Sequence, residues 1–217
     1  MFKVIPAILS SNPQEVEALL KRAEEVVDRV QVDIIDGQFA QSKTIDPSVL
    51  ENFDTGLLLD FHLMTKEPID WVERALRAGA DRIIGQVEQM SSQVDFVGKV
   101  SEVGLSVGLA IDLDTQVSEL DPTILNNLDI VLVMAVRAGF GGQKFEPKAL
   151  TKIRELDEIR SRDVTPFKIC VDGGETPDTI DDTRIAGADE IVIGRRLFDG
   201  NLAENIDRYI RAAYNKK

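Results

Sequence analysis

Short apolar runs rich in β-branched residues alternate with amphipathic segments along the 217 residues of the chain. Alternation of this kind is typical of βα units that build a parallel sheet. Eight such runs are present, which is the number of strands that closes a parallel barrel. The runs are 2–9, 29–35, 57–64, 82–87, 106–111, 130–136, 167–171 and 190–193.

Amphipathic helices are predicted between these runs. The first has a clear start, because Asn12 suits an N-cap, Pro13 suits the first helical position, and apolar Val16 and Leu20 follow at helical spacing. The other predicted helices are 68–77, 92–103, 148–160 and 202–214, and weaker helical patterns cover 46–53 and 116–126.

A six-residue echo agrees with repeated βα units. Residues 78–83 read Ala-Gly-Ala-Asp-Arg-Ile, and residues 186–191 read Ala-Gly-Ala-Asp-Glu-Ile. In both copies the glycine stands where a helix should end and a strand begin, which is the usual place for a glycine C-cap. Convergent turn chemistry is the alternative explanation.

No linker or change of composition divides the chain, so residues 1–217 are predicted to form one α/β domain, a single (β/α)8 barrel. A doubly wound open sheet is the main alternative. That fold usually carries a glycine-rich turn after its first strand, and here the turn is Ser10-Ser11-Asn12-Pro13.

The composition predicts a cytoplasmic protein without nucleic-acid or membrane partners. Its 38 acidic and 25 basic residues give a formal net charge of −13, which repels polyanions and anionic membrane surfaces. No run reaches the roughly 18 apolar residues of a membrane span, and 1–9 lacks the features of a signal peptide. The lone Cys170 lies in an apolar run and is predicted to be a packed core thiol.

Polar side chains stand near the exits of three predicted strands. Asp33 follows Val30-Gln31-Val32, His62 follows Leu58-Leu59-Asp60-Phe61, and Asp172 precedes Gly173-Gly174. In a closed βα barrel the reacting groups sit at the carboxyl ends of the strands. Asp33, His62 and Asp172 are therefore expected at one mouth of the barrel.

Glycines mark three consecutive strand exits. They follow the sixth run in 139–142, the seventh run in 173–174, and the eighth run at Gly194. Together they predict a backbone cradle of the kind that binds phosphate in such barrels, with loop flexibility as the alternative reading. Because the overall charge is negative, local N–H groups or arginines must hold any phosphate.

Five ordered motifs make the chain resemble the ribulose-phosphate 3-epimerase family along nearly its whole length. They are Pro6-Ala7-Ile8-Leu9-Ser10, Val32-Asp33-Ile34-Ile35-Asp36-Gly37, His62-Leu63-Met64, Gly139-Phe140-Gly141-Gly142-Gln143 and Val171-Asp172-Gly173-Gly174. The resemblance implies a TIM barrel of the ribulose-phosphate-binding type. It also implies an isomerase of the pentose phosphate pathway that converts D-ribulose 5-phosphate to D-xylulose 5-phosphate with two aspartates and a divalent metal (zinc, manganese, iron or magnesium). Members are often homo-oligomers.

The resemblance also implies residue roles. Asp33 matches the proton acceptor and Asp172 the proton donor, and both match metal ligands. His62 matches a further metal ligand, Ser10 a substrate contact, and Met64 the wall beside the reacting carbon. Substrate-binding and phosphate-binding positions are matched by His62, Gly139, Phe140, Gly141, Gly142, Gly173, Gly174 and Gly194. Met134 is another candidate for the wall, with core packing as its favoured role.

General chemistry agrees with these roles. Removing a proton α to a ketone creates an enediolate, which a metal on its oxygens stabilises. Inversion of the carbon requires a base on one face of that intermediate and an acid on the other. Two carboxylates on distant strands of a barrel can meet this requirement.

Several residues depart from the family pattern. Gln31 stands where the family has a metal-binding histidine, and it remains a candidate ligand through its carbonyl oxygen. Amide oxygen is a poorer zinc ligand than imidazole, so we expect a weaker or oxygen-preferring site, or none. Gln38 and Gln86 also replace histidines that are common in the family. Ser42 and Lys43 change the loop after the second strand, and Ala138 replaces a proline.

Arginines change the expected phosphate end of the barrel. Arg195 replaces a small hydroxyl residue after Gly194 and either pairs with the phosphate or fills its pocket, with the anion contact favoured. Arg196 is predicted to be a solvated surface residue. Arg137 is predicted to contact an anion or to form a surface salt bridge.

Three functions remain open from the sequence. The first is a metal-dependent epimerase acting on D-ribulose 5-phosphate. The second is an epimerase or isomerase for another ketose phosphate, with the altered loop 40–46 and Arg195 as the specificity changes. The third is a noncatalytic sugar-phosphate-binding barrel that has lost its metal, although such a binder has no evident need for both Asp33 and Asp172.

Overall fold

The computed structural model describes residues 2–163 and 167–214. Eight parallel strands pair in chain order, and the last pairs with the first, so the sheet closes into a barrel. The strands are β1 (Lys3–Ile8), β2 (Arg29–Ile35), β3 (Leu58–Met64), β4 (Ala80–Gln86), β5 (Ser106–Ile111), β6 (Ile130–Met134), β7 (Lys168–Asp172) and β8 (Glu190–Ile193). The predicted (β/α)8 barrel is confirmed.

The described part contains seven α-helices, of which the first five lie between strands and the last two follow β8. They are α1 (Pro13–Glu24), α2 (Val72–Arg77), α3 (Gln93–Glu102), α4 (Ala149–Asp163), α5 (Ile180–Ile185), α6 (Arg195–Phe198) and α7 (Leu202–Ala212). The two weak helical patterns correspond only to short 3₁₀ helices, Pro47–Leu50, Val117–Glu119 and Leu125–Asn127, and a further 3₁₀ turn, Pro68–Trp71, precedes α2. No described helix combines the length and the apolar character needed to cross a membrane.

Local chemistry accounts for several element boundaries. Asn12 Oδ1 accepts the backbone N–H of Gln14 at 3.0 Å, which caps α1 as predicted. In the six-residue echo, Gly79 and Gly187 adopt φ angles of 81° and 120° directly after α2 and α5. Glycine is favoured at such left-handed positions because it has no Cβ.

Two apolar layers surround the strands. The outer layer packs the strands against the helices, whereas the inner layer fills the barrel with alternate residues of each strand. Met64, Met134 and Cys170 belong to the inner layer. Cys170 is fully buried, as predicted, and burial raises the pKa of its thiol well above the usual value.

The base of the barrel interior is ionic. Asp60 accepts hydrogen bonds from Arg29 and Arg82, Arg82 also pairs with Glu190 at 3.1 Å, and Lys168 pairs with Glu190 at 3.0 Å. Burial opposes the charge of Arg82, but Asp60 and Glu190 outweigh burial and raise the pKa of the guanidinium. The charges are thus compensated within the interior.

Aspartates clamp three strands at their starts. Asp81 accepts the backbone N–H of Leu59 at 2.8 Å, and Asp129 accepts that of Val107 at 2.8 Å. Asp189 accepts that of Ile169 at 2.9 Å. Each clamp joins the beginning of one strand to a residue at, or directly before, the start of the next strand.

Candidate active site

Three side chains meet where β2, β3 and β7 open at the mouth of the barrel. Asp33 is paired in register with His62, and His62 Nδ1 lies 3.3 Å from Asp33 Oδ1 and 3.8 Å from Asp172 Oδ2. One ligand atom from each residue lies within 4.8 Å of the others. The structure therefore brings together the three polar strand-exit residues that the sequence indicated.

Gln31 bridges the two carboxylates. Its Nε2 donates to Asp33 Oδ1 at 2.9 Å and to Asp172 Oδ2 at 2.7 Å. Gln31 is fully buried, and its Oε1 has no hydrogen-bond partner. The residue that departs from the family pattern thus lies at the centre of the site.

Burial and mutual charge shift the titration of this cluster. Burial, together with the neighbouring Asp33 charge, raises the pKa of Asp172 to about 7, although His62 and Gln31 act in the opposite direction. Burial lowers the pKa of His62, but the nearby Asp33 carboxylate and the charge of Asp172 outweigh it, so the net shift is upward. Near neutral pH the cluster therefore retains protons that isolated carboxylates would lose.

The donor set fits a divalent cation. Two carboxylates and an imidazole are common ligands of zinc, iron and manganese. His62 Nδ1 is buried without a hydrogen-bond partner, and it is directed toward both carboxylates. An unpartnered nitrogen in this position is what a site for a cation requires.

Two loops meet above the site. In the loop after β2, Phe39 and Ala40 pack against the inner apolar layer, and the Ser42 hydroxyl donates to the carbonyl of Gly139. Gly139 has a φ of 97°, and a Cβ built there would lie 2.4 Å from Ala40 Cβ. The altered loop residue Ser42 therefore fastens this loop to the glycine-rich loop after β6.

The remainder of the loop after β6 is open to solvent. Phe140 is 49% exposed, and Gly141 and Gly142 are also exposed. Gln143 Nε2 donates to the carbonyls of Arg137 at 2.7 Å and Phe140 at 2.8 Å, which closes the loop on itself. The Arg137 side chain forms a surface ion pair with Asp114 at 3.3 Å.

The loop after β7 is closely packed from both sides. Gly174 has a φ of 72°, and a Cβ there would lie 2.2 Å from the backbone nitrogen of Phe145. Arg196 donates to the carbonyls of Gly174 at 3.1 Å and Glu175 at 2.9 Å. Arg196 is exposed, as predicted, and these two hydrogen bonds in addition fix the loop.

The other predicted contacts lie around this mouth. Ser10 is buried, and its hydroxyl donates to Glu15 in α1. Gly173 adopts a φ of 117° with Val136 packed against it, and Gly194 directly precedes α6. Arg195 is exposed on α6. Met64 lies in the inner layer below the mouth.

The sequence indicated Gln86 only as a departure from a family histidine, and it did not reveal the other residues that support the site. Gln86 and Glu88 stand behind His62, and buried Glu175 accepts the hydroxyls of Thr179 and Thr183 below the loop after β7. The only sequence signal for this support was the four-residue spacing of Thr179 and Thr183, which places them on one face of a helix. No pattern in the chain linked Glu88 or Glu175 to the site.

Comparisons with known proteins agree with the motifs. A model of the ribulose-phosphate 3 epimerase family matches residues 3–198. The chain is 36% identical over 210 residues to a ribulose-phosphate 3-epimerase of Synechocystis, covering 94% of this chain and 90% of that protein. It is 32% identical over 224 residues to the cytoplasmic isoform of this enzyme in Oryza sativa, covering 99% and 96%.

Solved structures share the fold at low sequence identity. A 3-keto-L-gulonate-6-phosphate decarboxylase from Vibrio cholerae aligns with a TM-score of 0.70 at 14% identity, covering 98% of this chain and 97% of that one. A 3-hexulose-6-phosphate synthase aligns with a TM-score of 0.67 at 14% identity, covering 97% and 99%. These likenesses show the barrel architecture.

Proposed function

The chain belongs to the ribulose-phosphate 3-epimerase family, and on this basis we propose that it interconverts D-ribulose 5-phosphate and D-xylulose 5-phosphate. Enzymes of this name are isomerases, and this interconversion belongs to the pentose phosphate pathway. The observation that carries the proposal is the pair Asp33 and Asp172, which is held at one mouth by two strands that are not neighbours. We also propose that the enzyme acts in the cytoplasm, as the name of the Oryza sativa relative says of that protein.

We propose that the two carboxylates divide the proton transfers. Asp33 accepts the proton from C3, the electrons of the C–H bond form a C2–C3 double bond, and negative charge moves to the C2 oxygen. Asp172 then donates a proton to the opposite face of C3, and the carbonyl re-forms. The pKa of about 7 at Asp172 supports the donor role, because a much larger fraction of this carboxyl carries a proton near neutral pH than of an ordinary aspartate.

Asp33, His62 and Asp172 would hold a divalent cation, with Gln31 as a further ligand. A bound cation supplies positive charge that stabilises the enediolate. Gln31 can contribute only its carbonyl oxygen, since its amide nitrogen has no free electron pair. Rotation of the amide would exchange the two atoms and direct the unpartnered Oε1 toward the carboxylates. An oxygen-rich ligand set of this kind favours manganese, iron or magnesium over zinc.

The phosphate is proposed to lie against the loops after β6, β7 and β8. The backbone around Gly139, Gly141, Gly142, Gly173, Gly174 and Gly194 can approach a phosphate closely. Arg195 is exposed beside Gly194, where its charge would offset the negative field of the protein. Ser10 and Met64 are proposed to contact the sugar.

The test is hydrogen exchange at C3 in heavy water. The purified protein is incubated with D-ribulose 5-phosphate and manganese, magnesium, iron or zinc, and NMR follows deuterium at C3 and the appearance of D-xylulose 5-phosphate. We expect both with at least one metal. A double variant, Asp33→Asn with Asp172→Asn, is the control for exchange by free metal.

Other outcomes would decide between the alternatives. Absence of label with every metal would refute the epimerase. Label in another ketose phosphate, but none in D-ribulose 5-phosphate, would assign a different substrate. Metal analysis of the protein as isolated identifies the resident cation independently of activity.

A further inference from the structure

A chain of hydrogen bonds runs from His62 away from the site. His62 Nε2 lies 3.0 Å from Gln86 Oε1, and Gln86 Nε2 donates to Glu88 Oε2 at 2.8 Å. Glu88 Oε1 accepts the backbone N–H of Asp112 at 2.7 Å. The chain begins in β3, passes the end of β4 and finishes at the residue that follows β5.

The donors and acceptors in this series of hydrogen bonds can be assigned in only one way. An ionised carboxylate only accepts hydrogen bonds, so the NH₂ group of Gln86 must face Glu88. The carbonyl of Gln86 then faces His62, and a carbonyl accepts only. His62 Nε2 must therefore carry a hydrogen, and His62 Nδ1 is the nitrogen left toward Asp33 at 3.3 Å.

We propose that Gln86, held by Glu88, is a positioning residue that keeps the proton of His62 on Nε2 and leaves Nδ1 to bind a cation between Asp33 and Asp172. The cation part of this inference rests on the proposed function. The tautomer part rests only on the hydrogen bonds. His62 and Gln86 are both fully buried, so water does not substitute for a lost partner.

The opposite neutral tautomer is disfavoured by the same contacts. With the proton on Nδ1, the lone pair of Nε2 would face the oxygen of Gln86 across 3.0 Å. Turning the Gln86 amide would relieve that repulsion, but it would set the amide oxygen against Glu88. Either arrangement breaks one hydrogen bond and creates one repulsive contact.

The tautomer can be read directly, because His62 is the only histidine of the chain. Protein labelled with ¹⁵N-histidine is studied without metal or substrate, at an alkaline pH where the imidazole is neutral, and two-bond ¹H–¹⁵N spectra identify the protonated nitrogen. We expect Nε2–H in the natural protein. Gln86→Leu should shift the proton toward Nδ1, where the two carboxylates accept it.

A double variant that exchanges the two side chains, the swapped pair, tests the orientation of the hydrogen bonds separately from packing. Gln86→Glu combined with Glu88→Gln again provides an acceptor for His62 Nε2 and a donor at position 88, so it should restore Nε2–H. Glu155→Gln, an exposed change on α4, is the control. Should Gln86→Leu fail to fold, Glu88→Gln is the substitute. It removes the carboxylate that orients the Gln86 amide and leaves the side-chain volume almost unchanged.

Manganese affinity gives the second readout. Loss of a residue that orients a metal-binding histidine lowers metal affinity about 10–100-fold, so we expect a loss of this size in Gln86→Leu and its recovery in the swapped pair. A proton on Nδ1 in the natural protein, or an unchanged tautomer in Gln86→Leu, overturns the inference. If Nε2–H is found but manganese does not bind, the tautomer assignment stands and the metal role in the proposed function fails.

Discussion

The side-chain amide of Gln31 donates to Asp172 at 2.7 Å and thereby joins β2 to β7 across the mouth of the barrel. Two strands, β1 and β8, lie between them in the sheet. The same nitrogen also donates to Asp33, so one neutral group holds two carboxylates that would otherwise repel each other. Gln31 thus keeps the two carboxylates close together in the structure.

The two aspartates should differ in what their loss abolishes. Asp33→Asn removes the proposed base and should reduce both epimerisation and C3 exchange of D-ribulose 5-phosphate by about 10²–10⁴-fold. Asp172→Asn should reduce epimerisation by a similar factor but leave measurable exchange through Asp33. Parallel NMR assays of product and deuterium separate the two effects, and identical profiles for both variants would contradict the assigned roles.

Substitution of Gln31 should change metal preference. Gln31→His places an imidazole beside Asp33 and Asp172, and imidazole is a better zinc ligand than an amide oxygen. We expect the ratio of zinc to manganese affinity to rise at least about 10-fold. Calorimetric titration of metal-free protein measures both affinities, with Gln14→His on the exposed face of α1 as the control. An unchanged ratio would show that position 31 does not reach the cation.

Gly139 should be required for the junction of the two upper loops. Gly139→Ala combines a left-handed backbone with a Cβ only 2.4 Å from Ala40 Cβ, and the backbone strain alone costs about 1–3 kcal/mol. We expect a higher KM for D-ribulose 5-phosphate. Adding Ala40→Gly makes room for the new methyl group and should recover part of the loss in steady-state assays. No difference between the single and double variants would argue against contact between the loops.

Buried Glu175 should make stability depend on pH. Burial raises its pKa above the usual 4.5, although Thr179 and Thr183 donate to it. Above pH 4.5 the unfolded chain therefore releases a proton that the folded protein still holds, so stability falls as pH rises toward the folded pKa. Glu175→Gln should not lose stability in this way. Its free energy of unfolding should therefore rise relative to that of the natural protein as the pH rises. Urea unfolding at several pH values measures the difference, with Glu155→Gln, an exposed change on α4, as the control.

The stability that the buried ion pairs at the bottom of the barrel provide should depend on Arg82 more than on Lys168. Arg82→Met leaves two buried carboxylates, Asp60 and Glu190, short of a partner, and such a loss costs about 3–5 kcal/mol. Lys168→Met removes a side chain that is 52% exposed, and the cost should stay below about 1 kcal/mol. Urea denaturation compares the two variants. An equal loss of unfolding free energy in both variants would mean that burial does not determine how much each ion pair contributes.

The sequence was sufficient for the barrel because its strands follow simple rules. The runs at 29–35, 106–111 and 190–193 agree with β2, β5 and β8 residue for residue. The α5 and α6 helices were not predicted, since they have six and four residues and span too few turns to show periodicity. The strand predicted to 136 ends at Met134, because the apolar residues that follow turn into the loop while remaining buried.

The meeting of three polar side chains in the candidate site was predictable from the sequence, but the hydrogen bonds that connect them were not. Asp33, His62 and Asp172 were placed together because parallel strands end at one mouth. The bridging bonds of Gln31 and the support of His62 by Gln86 depend on which atoms of an amide face which neighbour. Periodicity and motif spacing carry no such information, and the packing of Arg196 against loop carbonyls is equally invisible to them.

The aspartate clamps also bear on how the barrel assembles. Asp81 and Asp129 each hold a backbone N–H 22 residues away along the chain, and Asp189 holds one 20 residues away. Contacts of such short sequence separation form early at low loop-closure entropy. We therefore expect neighbouring βα units to form one after another during folding. The slow step should be closure of the barrel, in which β1 pairs with β8 and the backbone N–H of Lys3 donates to the carbonyl of Asp189.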